Sequence, residues 1–175
     1  GPKAMHDWYR AFGLEAAHGP GLANASSGTF IPDDTEIGRM LFGIGQGSVA
    51  WTPLHAATAY ARLAKQGGGV EPVLVLQDDP TAEVDPGEWS REAVRIALAG
   101  MRKSAKEGTA SQLWLENRRR EDILDFSDLG DAAPTVWAKT GTAQVTGEAS
   151  HAWYAGMVAP AGEQEPRYAF AVIVE

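Results

Sequence analysis

Large apolar residues return at helical spacing in the first dozen positions. Met5, Trp8, Tyr9 and Phe12 fall at i, i+3, i+4 and i+7, which predicts a helix with four large groups on one face and a stop at Gly13. From Gly19 to Asp34 the chain is rich in Gly, Pro, Ser, Asn and Asp, the composition of an irregular surface excursion. A second helix is predicted to start at Thr52-Pro53, a hydroxyl N-cap followed by proline at N1. It carries Leu54, Ala57, Tyr60, Ala61 and Ala64 and stops at Gly67-Gly68-Gly69. Its many alanines suit close packing against another element. Val73 to Leu76 reads as a short strand. Asp85-Pro86-Gly87-Glu88 resembles a capping box, and the helix behind it is expected to use Val94, Ala97, Leu98 and Met101 and to end near Gly108. The charged stretch Glu116 to Asp122, with Arg118, Arg119 and Arg120, reads as a solvated helix face or loop rather than a phosphate site.

The pattern then changes period. Thr135 to Val145, His151 to Ala159 and Arg167 to Val174 are rich in β-branched and aromatic residues and are separated by short polar loops. This predicts an antiparallel three-stranded meander. Tyr168 to Val174 is almost unbroken apolar, so this strand is expected to be central and covered on both faces. The chain reaches Glu175 while that strand is still running, which implies covering elements outside these residues. Helices first and strands last make the fold class α+β.

Composition narrows the function classes. At 175 residues and 18.6 kDa the chain is long enough for one domain with a real core. Fifteen Lys and Arg against 23 Asp and Glu give a net charge of −8, so no basic footprint exists for a nucleic acid or an anionic membrane. An anionic ligand must be held by a local positive site working against the global field. Cysteine is absent, which excludes disulfides, thiolate zinc sites and cysteine nucleophiles. No apolar run is long enough to span a membrane. His6, His18, His55 and His151 show no metal-ligand spacing, so neither a metal nor a cofactor is expected. His151 follows Ser150 directly, and neighbours on a strand point to opposite faces, so the pair is no catalytic dyad. Asp33-Asp34 and Asp78-Asp79 read as turn residues, and Trp8, Trp51, Trp114, Trp137 and Trp153 as packing anchors. Gly1-Pro2 is compatible with the scar of a cleaved tag.

The informative segment is Trp137 to Val145, which contains Lys139-Thr140-Gly141-Thr142. It is not a phosphate loop, because its glycine follows the lysine. A glycine inside a strand often marks close approach of a ligand or another backbone. Thr140 and Thr142 share one strand face, with Gly141 on the other. With a backbone edge free, such a strand can bind a carboxylate and an extended peptide at once, each charge-assisted hydrogen bond contributing roughly 1.5–3 kcal/mol. Read on these residues alone, Lys139 is more simply a strand-end lysine beside a bulge glycine, because a three-residue match is weak evidence.

The order of segments goes further. Tyr9 to Leu14, Gly28 to Pro32, Gly45-Gln46-Gly47, Thr52-Pro53-Leu54-His55-Ala56-Ala57, Gly108-Thr109-Ala110, Ala138 to Gln144, and His151 to Gly156 with Ala159-Pro160 together resemble the transpeptidase domain of the class B penicillin-binding proteins. Lys-Thr-Gly belongs to the signature of that superfamily, with Ser-x-x-Lys and Ser-Asp-Asn. The resemblance implies a penicillin-binding/β-lactamase-like fold and serine acyl transfer that cross-links cell-wall stem peptides. It also implies a periplasmic or otherwise extracytoplasmic site on a bacterial inner membrane, and a membrane-anchored parent.

One departure qualifies it. None of the eight serines has lysine three positions on, and no Ser-x-Asn occurs. In the family both motifs lie upstream of the segment resembling residues 1–20. Residues 1–175 therefore correspond to the C-terminal portion of such a domain, without nucleophile or base, and this chain alone is expected to be inactive. Carried onto matched positions, the resemblance gives Lys139 and Thr142 catalytic roles. Lys139 supplies positive potential, and the Thr142 N–H completes an oxyanion hole. Lys139, Thr140, Gly141 and Thr142 would bind substrate, a stem peptide or a β-lactam. Two alternatives remain: a non-catalytic relative that binds peptides, partners or itself through an exposed sheet edge, and a β-lactamase or β-lactam sensor.

Overall fold

The computed structural model describes all residues except 1, 19–24, 32–34, 74–82, 85, 86, 115–119, 123, 145, 146 and 148. The chain divides into two compact units, residues 1–88 and 89–175.

The first unit opens with α1, Pro2–Ala11. It stops where expected. Gly13 adopts a left-handed conformation (φ +77°), and the Gly13 and Leu14 N–H groups close back on the Arg10 and Tyr9 carbonyls, which satisfies the helix end. The strand β1, Thr29–Phe30, pairs antiparallel with β2, Val49–Ala50. Between them lies α2, Glu36–Gly43, capped by the Thr35 hydroxyl. The sequence reading passed over this helix. Its end runs into the Gly45-Gln46-Gly47 turn, with the Gln46 N–H on the Leu41 carbonyl. The core is Leu14, Phe30 and Phe42, with Met5, Tyr9, Phe12, Val49, Trp51 and Ala59 against it. Each fully buried large group there contributes roughly 1.5–3 kcal/mol. Tyr9 stacks on Phe30 at 4.7 Å and donates its hydroxyl to the Phe42 carbonyl at 3.0 Å. Trp8, expected on this face, is 45% exposed.

The helix α3, Pro53–Ala64, begins at Thr52 as its sequence predicts. The third residue of this helix is His55, and it completes the capping box. His55 Nδ1 accepts from the Thr52 N–H (3.2 Å) and lies 2.7 Å from the Thr52 hydroxyl. Its Nε2 donates to the Ala16 carbonyl at 2.7 Å. His55 is fully buried, and its ring lies 5.0 Å from that of His18. His18 in turn donates to the Gly13 carbonyl at 2.7 Å, and its Nδ1 sits 3.0 Å from a Glu71 oxygen. Glu71 also holds the buried Arg62 guanidinium at 2.6 Å. The unit ends with β3, Gly69–Val70, paired with β4, Glu83–Val84. Of the strand expected at Val73 to Leu76, Val73 lies in no strand and the rest falls outside the described residues. So do Asp33-Asp34, Asp78-Asp79 and Asp85.

In the second unit α4, Arg91–Glu107, is capped by Ser90, whose hydroxyl accepts from the Ala93 N–H. The capping residue is thus five positions later than expected, because a serine directly before the helical run outcompetes an earlier aspartate. Val94 and Ala105 are buried, Leu98 and Met101 half-buried, and Ala97 exposed. The hairpin β5, Gln112–Trp114, with β6, Arg120–Asp122, follows. The last part of the charged stretch is therefore a strand, not a helix face or loop. A 3₁₀ segment, Ser127–Ala132, leads into the meander of β7 (Thr135–Ala143), β8 (His151–Ala159) and β9 (Tyr168–Val174).

The meander pairs in the order β7-β8-β9, antiparallel throughout. The α+β class and the three-stranded meander are as expected, but the central strand is β8. Ala155, Gly156 and Met157 in its middle are buried, Met157 completely. β9 lies at an edge, with Tyr168, Val172 and Val174 more than half exposed. An apolar run reports what lies above and below a strand, not what lies beside it. α4 packs on β7, where Ala105 and Ala110 meet Val136 and Ala138, flanked by Tyr154, Val158 and Phe170. Among the described residues no helix is long and apolar enough to cross a membrane.

The buried His55 makes the first unit sensitive to acid. Burial holds its imidazole below the ordinary histidine pKa, and the hydrogen bond to Ala16 opposes this only in part. Protonation would also turn Nδ1 from acceptor to donor against the Thr52 N–H. The unfolded chain binds that proton more readily, so stability is full above about pH 6.5 and declines as pH falls below it, levelling off under the lowered folded value. Urea midpoints from pH 8 to pH 5 should fall more steeply for the native chain than for His55→Gln. Parallel curves would remove His55 as the cause.

Candidate functional site

β7 pairs with β8 on one side and with no other strand among the described residues. One row of its backbone groups therefore faces away from the sheet ladder. Along this strand one face runs Val136, Ala138, Thr140, Thr142, because side chains alternate. Val136 and Ala138 are sealed by α4, whereas Thr140 is half-buried and Thr142 exposed. The same face thus passes from core to solvent within four residues, and the two hydroxyls sit where it emerges.

Lys139 and Gly141 lie on the opposite face, and both are exposed. The Lys139 ammonium turns back and donates to the Thr140 carbonyl. Among the described residues no carboxylate forms an ion pair with it. Lys139, Thr140, Gly141 and Thr142 are consecutive on one edge strand, Thr140 half-buried and the other three exposed. His151 opens β8 opposite Ala143. Among the described residues no group of acidic, histidine or cysteine side chains is arranged to hold a metal.

A residue given no role from sequence joins this cluster. The Thr109 hydroxyl lies 3.0 Å from that of Thr140. Thr109 sits in the turn that follows α4, and this turn is anchored independently of it. The Gly108 N–H donates to the Ser104 carbonyl, and the Ser111 N–H and hydroxyl both donate to the Gly108 carbonyl, the hydroxyl at 2.8 Å. Tyr154, directly across from Thr140 in the ladder, donates its phenol to the Ala110 carbonyl at 2.8 Å. Burial raises the Tyr154 pKa, which keeps that donor protonated. The Gly108-Thr109-Ala110 triplet was legible as a segment, but its meeting with Thr140, 31 residues away, was not.

Two glycines of this sheet differ in what they accommodate. A Cβ on Gly156 would lie 1.9 Å from the Trp137 carbonyl oxygen and 2.8 Å from the Ala138 Cα, so β7 and β8 approach each other only because that side chain is missing. A Cβ on Gly141 would meet just the Trp153 Cβ at 3.5 Å, an ordinary contact. The sheet itself does not require glycine at 141.

An antiparallel meander backed by a helix, with Lys-Thr-Gly-Thr on its exposed edge strand, is an α+β transpeptidase-type fold. The family model of the penicillin-binding protein transpeptidase domain matches residues 1–175, and the chain belongs to that family. Penicillin-binding protein 3 of Bacillus subtilis (strain 168) is 40% identical over 61 residues, 35% of this chain and 8% of that protein. The crystal structure of PBPA from Mycobacterium tuberculosis superposes with a TM-score of 0.71 at 26% identity, covering 98% of this chain and 39% of that one. A ceftriaxone acyl-enzyme complex of penicillin-binding protein A from M. tuberculosis gives 0.72 at 26% identity, over 99% of this chain and 37% of that one. The chain therefore spans about two-fifths of the length of these solved relatives.

Alanine at the two glycines should separate fold from function. Gly156→Ala is expected to destabilise the second unit by at least about 3 kcal/mol, because backbone must move to admit the methyl. Gly141→Ala should stay within about 0.5 kcal/mol of the native chain. Urea denaturation of both variants checks this, and equal losses would contradict the contrast.

Proposed function

We propose that this chain is the substrate-cradling portion of a peptidoglycan DD-transpeptidase domain, acting on cell-wall stem peptides and recognised by β-lactams. In the complete domain a serine would attack the penultimate D-alanine carbonyl, expel the terminal D-alanine and pass the acyl group to an amine. Residues 1–175, read as the C-terminal portion of that domain, hold the peptide in place for that chemistry. An extended peptide lies along the outer row of β7 backbone groups as an added strand. Its terminal carboxylate is received by the hydroxyls of Thr140 and Thr142, with the Lys139 ammonium supplying the local positive charge. The Thr142 N–H contributes to stabilising the oxyanion.

The observation that carries this reading is the exposed edge strand bearing Lys139 to Thr142 in a member of the penicillin-binding transpeptidase family. Two further features support it. The Lys139 ammonium bonds to a neighbouring neutral carbonyl, a contact that an incoming carboxylate can replace with one between two opposite charges. Gly141 is not demanded by packing within the sheet, which is consistent with a requirement imposed from outside, a backbone lying close. The acyl-enzyme complex of the M. tuberculosis relative shows that protein reacting with ceftriaxone. This chain is expected to lack the reaction, because none of its serines stands in Ser-x-x-Lys.

A second reading has its own support. The sheet leaves β7 and β9 each with one unpaired side among the described residues, and β9 is apolar and partly exposed. Such edges pair with other chains, so a non-catalytic role by strand addition or self-association is the alternative, and light scattering that finds a stable dimer would favour it.

Two measurements decide the main reading. Incubation with a fluorescent penicillin followed by denaturing electrophoresis should leave no covalent band, and a band on this chain would overturn the assignment of a cradle without nucleophile. Titration with N-acetyl-D-alanyl-D-alanine, followed by backbone amide NMR, should shift residues 139–142, and Lys139→Gln should weaken the binding about 10-fold, the scale of one charge-assisted contact. Shifts confined to other elements would refute the cradle.

A further inference from the structure

The pair Thr109–Thr140 is the feature of this site that the transpeptidase reading does not use. A hydroxyl has one proton and two acceptor positions. Two hydroxyls at 3.0 Å can therefore share their bond in either order. If Thr140 donates to Thr109, Thr140 has no proton left for an anion. If Thr109 donates to Thr140, the Thr140 proton is free to point outward.

We propose that Thr109 is a positioning residue for anion recognition. Its hydroxyl donates to Thr140 Oγ1 and turns Thr140 into a committed donor for the substrate carboxylate. This inference rests on the reading of β7 as a carboxylate cradle. The arriving anion selects the order Thr109 to Thr140 to carboxylate, a chain in which each bond polarises the next. Both hydroxyls are placed for it. Thr140 stands where the buried face of β7 opens to solvent, and Thr109 is exposed. The backbone of Thr109 is fixed by its neighbours: Ala110 is fully buried and its carbonyl is held by Tyr154.

A merely structural role for Thr109 would be to pin the turn to the sheet. That pin is redundant, because the bonds from the Gly108 N–H, from Ser111 and from Tyr154 hold the same four residues. The hydroxyl of Thr109 is the part of the turn that faces the site rather than the turn.

The test uses the full chain and two probes, N-acetyl-D-alanyl-D-alanine and its C-terminal amide, titrated by NMR. The native chain should prefer the acid. Thr109→Val should weaken acid binding about 3- to 10-fold, the scale of one neutral hydrogen bond, and leave amide binding unchanged. Thr109→Ser should restore the native affinity. Thr109→Val should add nothing in a Thr140→Val background, since its effect passes through that hydroxyl. Thr109→Ala is expected to behave as Thr109→Val, which guards against a folding artefact of the valine. If the native chain prefers the acid and Thr109→Val binds it equally well, or loses acid and amide alike, the inference falls and the cradle stands. If the native chain shows no preference for the acid, both fall together.

Discussion

A strand at the edge of a sheet satisfies half of its backbone through the ladder and leaves the other half for something else. β7 is such a strand among the described residues, and the proposed cradle is built around that surplus. Edges are a hazard that proteins blunt with charge, lysine above all, and Lys139 sits midway along this one. In the proposed cradle, the same ammonium that discourages pairing with another chain would offer a counter-charge to a ligand that arrives as a strand with a carboxylate at its end. Protection and recognition are therefore not competing accounts of Lys139. A ligand with an anion at the right position gains what a random strand lacks. α4 seals the first half of one β7 face, which anchors the strand on which the proposed cradle sits.

Most of this architecture could be read from residue pattern, because it depends on local rules. The stop at Gly13, the Thr52-Pro53 helix start, the stop of α4 at Gly108 and the three strands of the meander each rest on a few adjacent residues. The cluster at 139–142 was legible for the same reason, as consecutive positions of one strand. What escaped the reading was lateral order and long-range contact. Alternation cannot say which of three apolar strands lies in the middle, and β8 takes that place, with Gly156 admitting β7 closely on one side. Gly156 is the clearest case. A glycine in a strand signals a close approach, but only the register with Ala138 says that the approaching group is the neighbouring strand. Thr109 escaped because a hydroxyl in a turn has many possible partners and the ladder alone decides that Thr140 is the one.

His55 shows a local rule met by an unexpected side chain. A capping box normally has Glu or Gln at the third helical position, which accepts from the cap residue's N–H. At His55 an imidazole nitrogen takes that part, and the ring's second nitrogen reaches the Ala16 carbonyl. One neutral side chain thus joins two segments 39 residues apart, a link that a carboxylate, having no proton to donate to a carbonyl, would not make. Metal-ligand spacing along the sequence says nothing of a ring used as a strut. The cost of the device is that the strut works in one protonation state. Around it lie His18, Arg62 and Glu71, and the Arg62 guanidinium, itself buried, depends on the Glu71 carboxylate. Such a group is expensive to leave unpaired, so this end of the first unit holds together as a set.

The division of labour at β7 follows from charge. The whole chain carries −8, so an approaching anion meets a repulsive field that salt screens beyond roughly 8 Å at physiological ionic strength. Lys139 opposes that field locally, but a flexible ammonium attracts any anion and points nowhere in particular. Discrimination between a carboxylate and an amide of the same shape needs donors whose directions are fixed and whose effect ends within a hydrogen bond. Hydroxyls on a pinned strand meet that requirement. They are uncharged, so the global field does not weaken them, and they pay off only when an acceptor stands at the right distance. In the proposed cradle, charge would bring the ligand in, and the geometry of β7 with its neighbouring turn would decide which ligand stays.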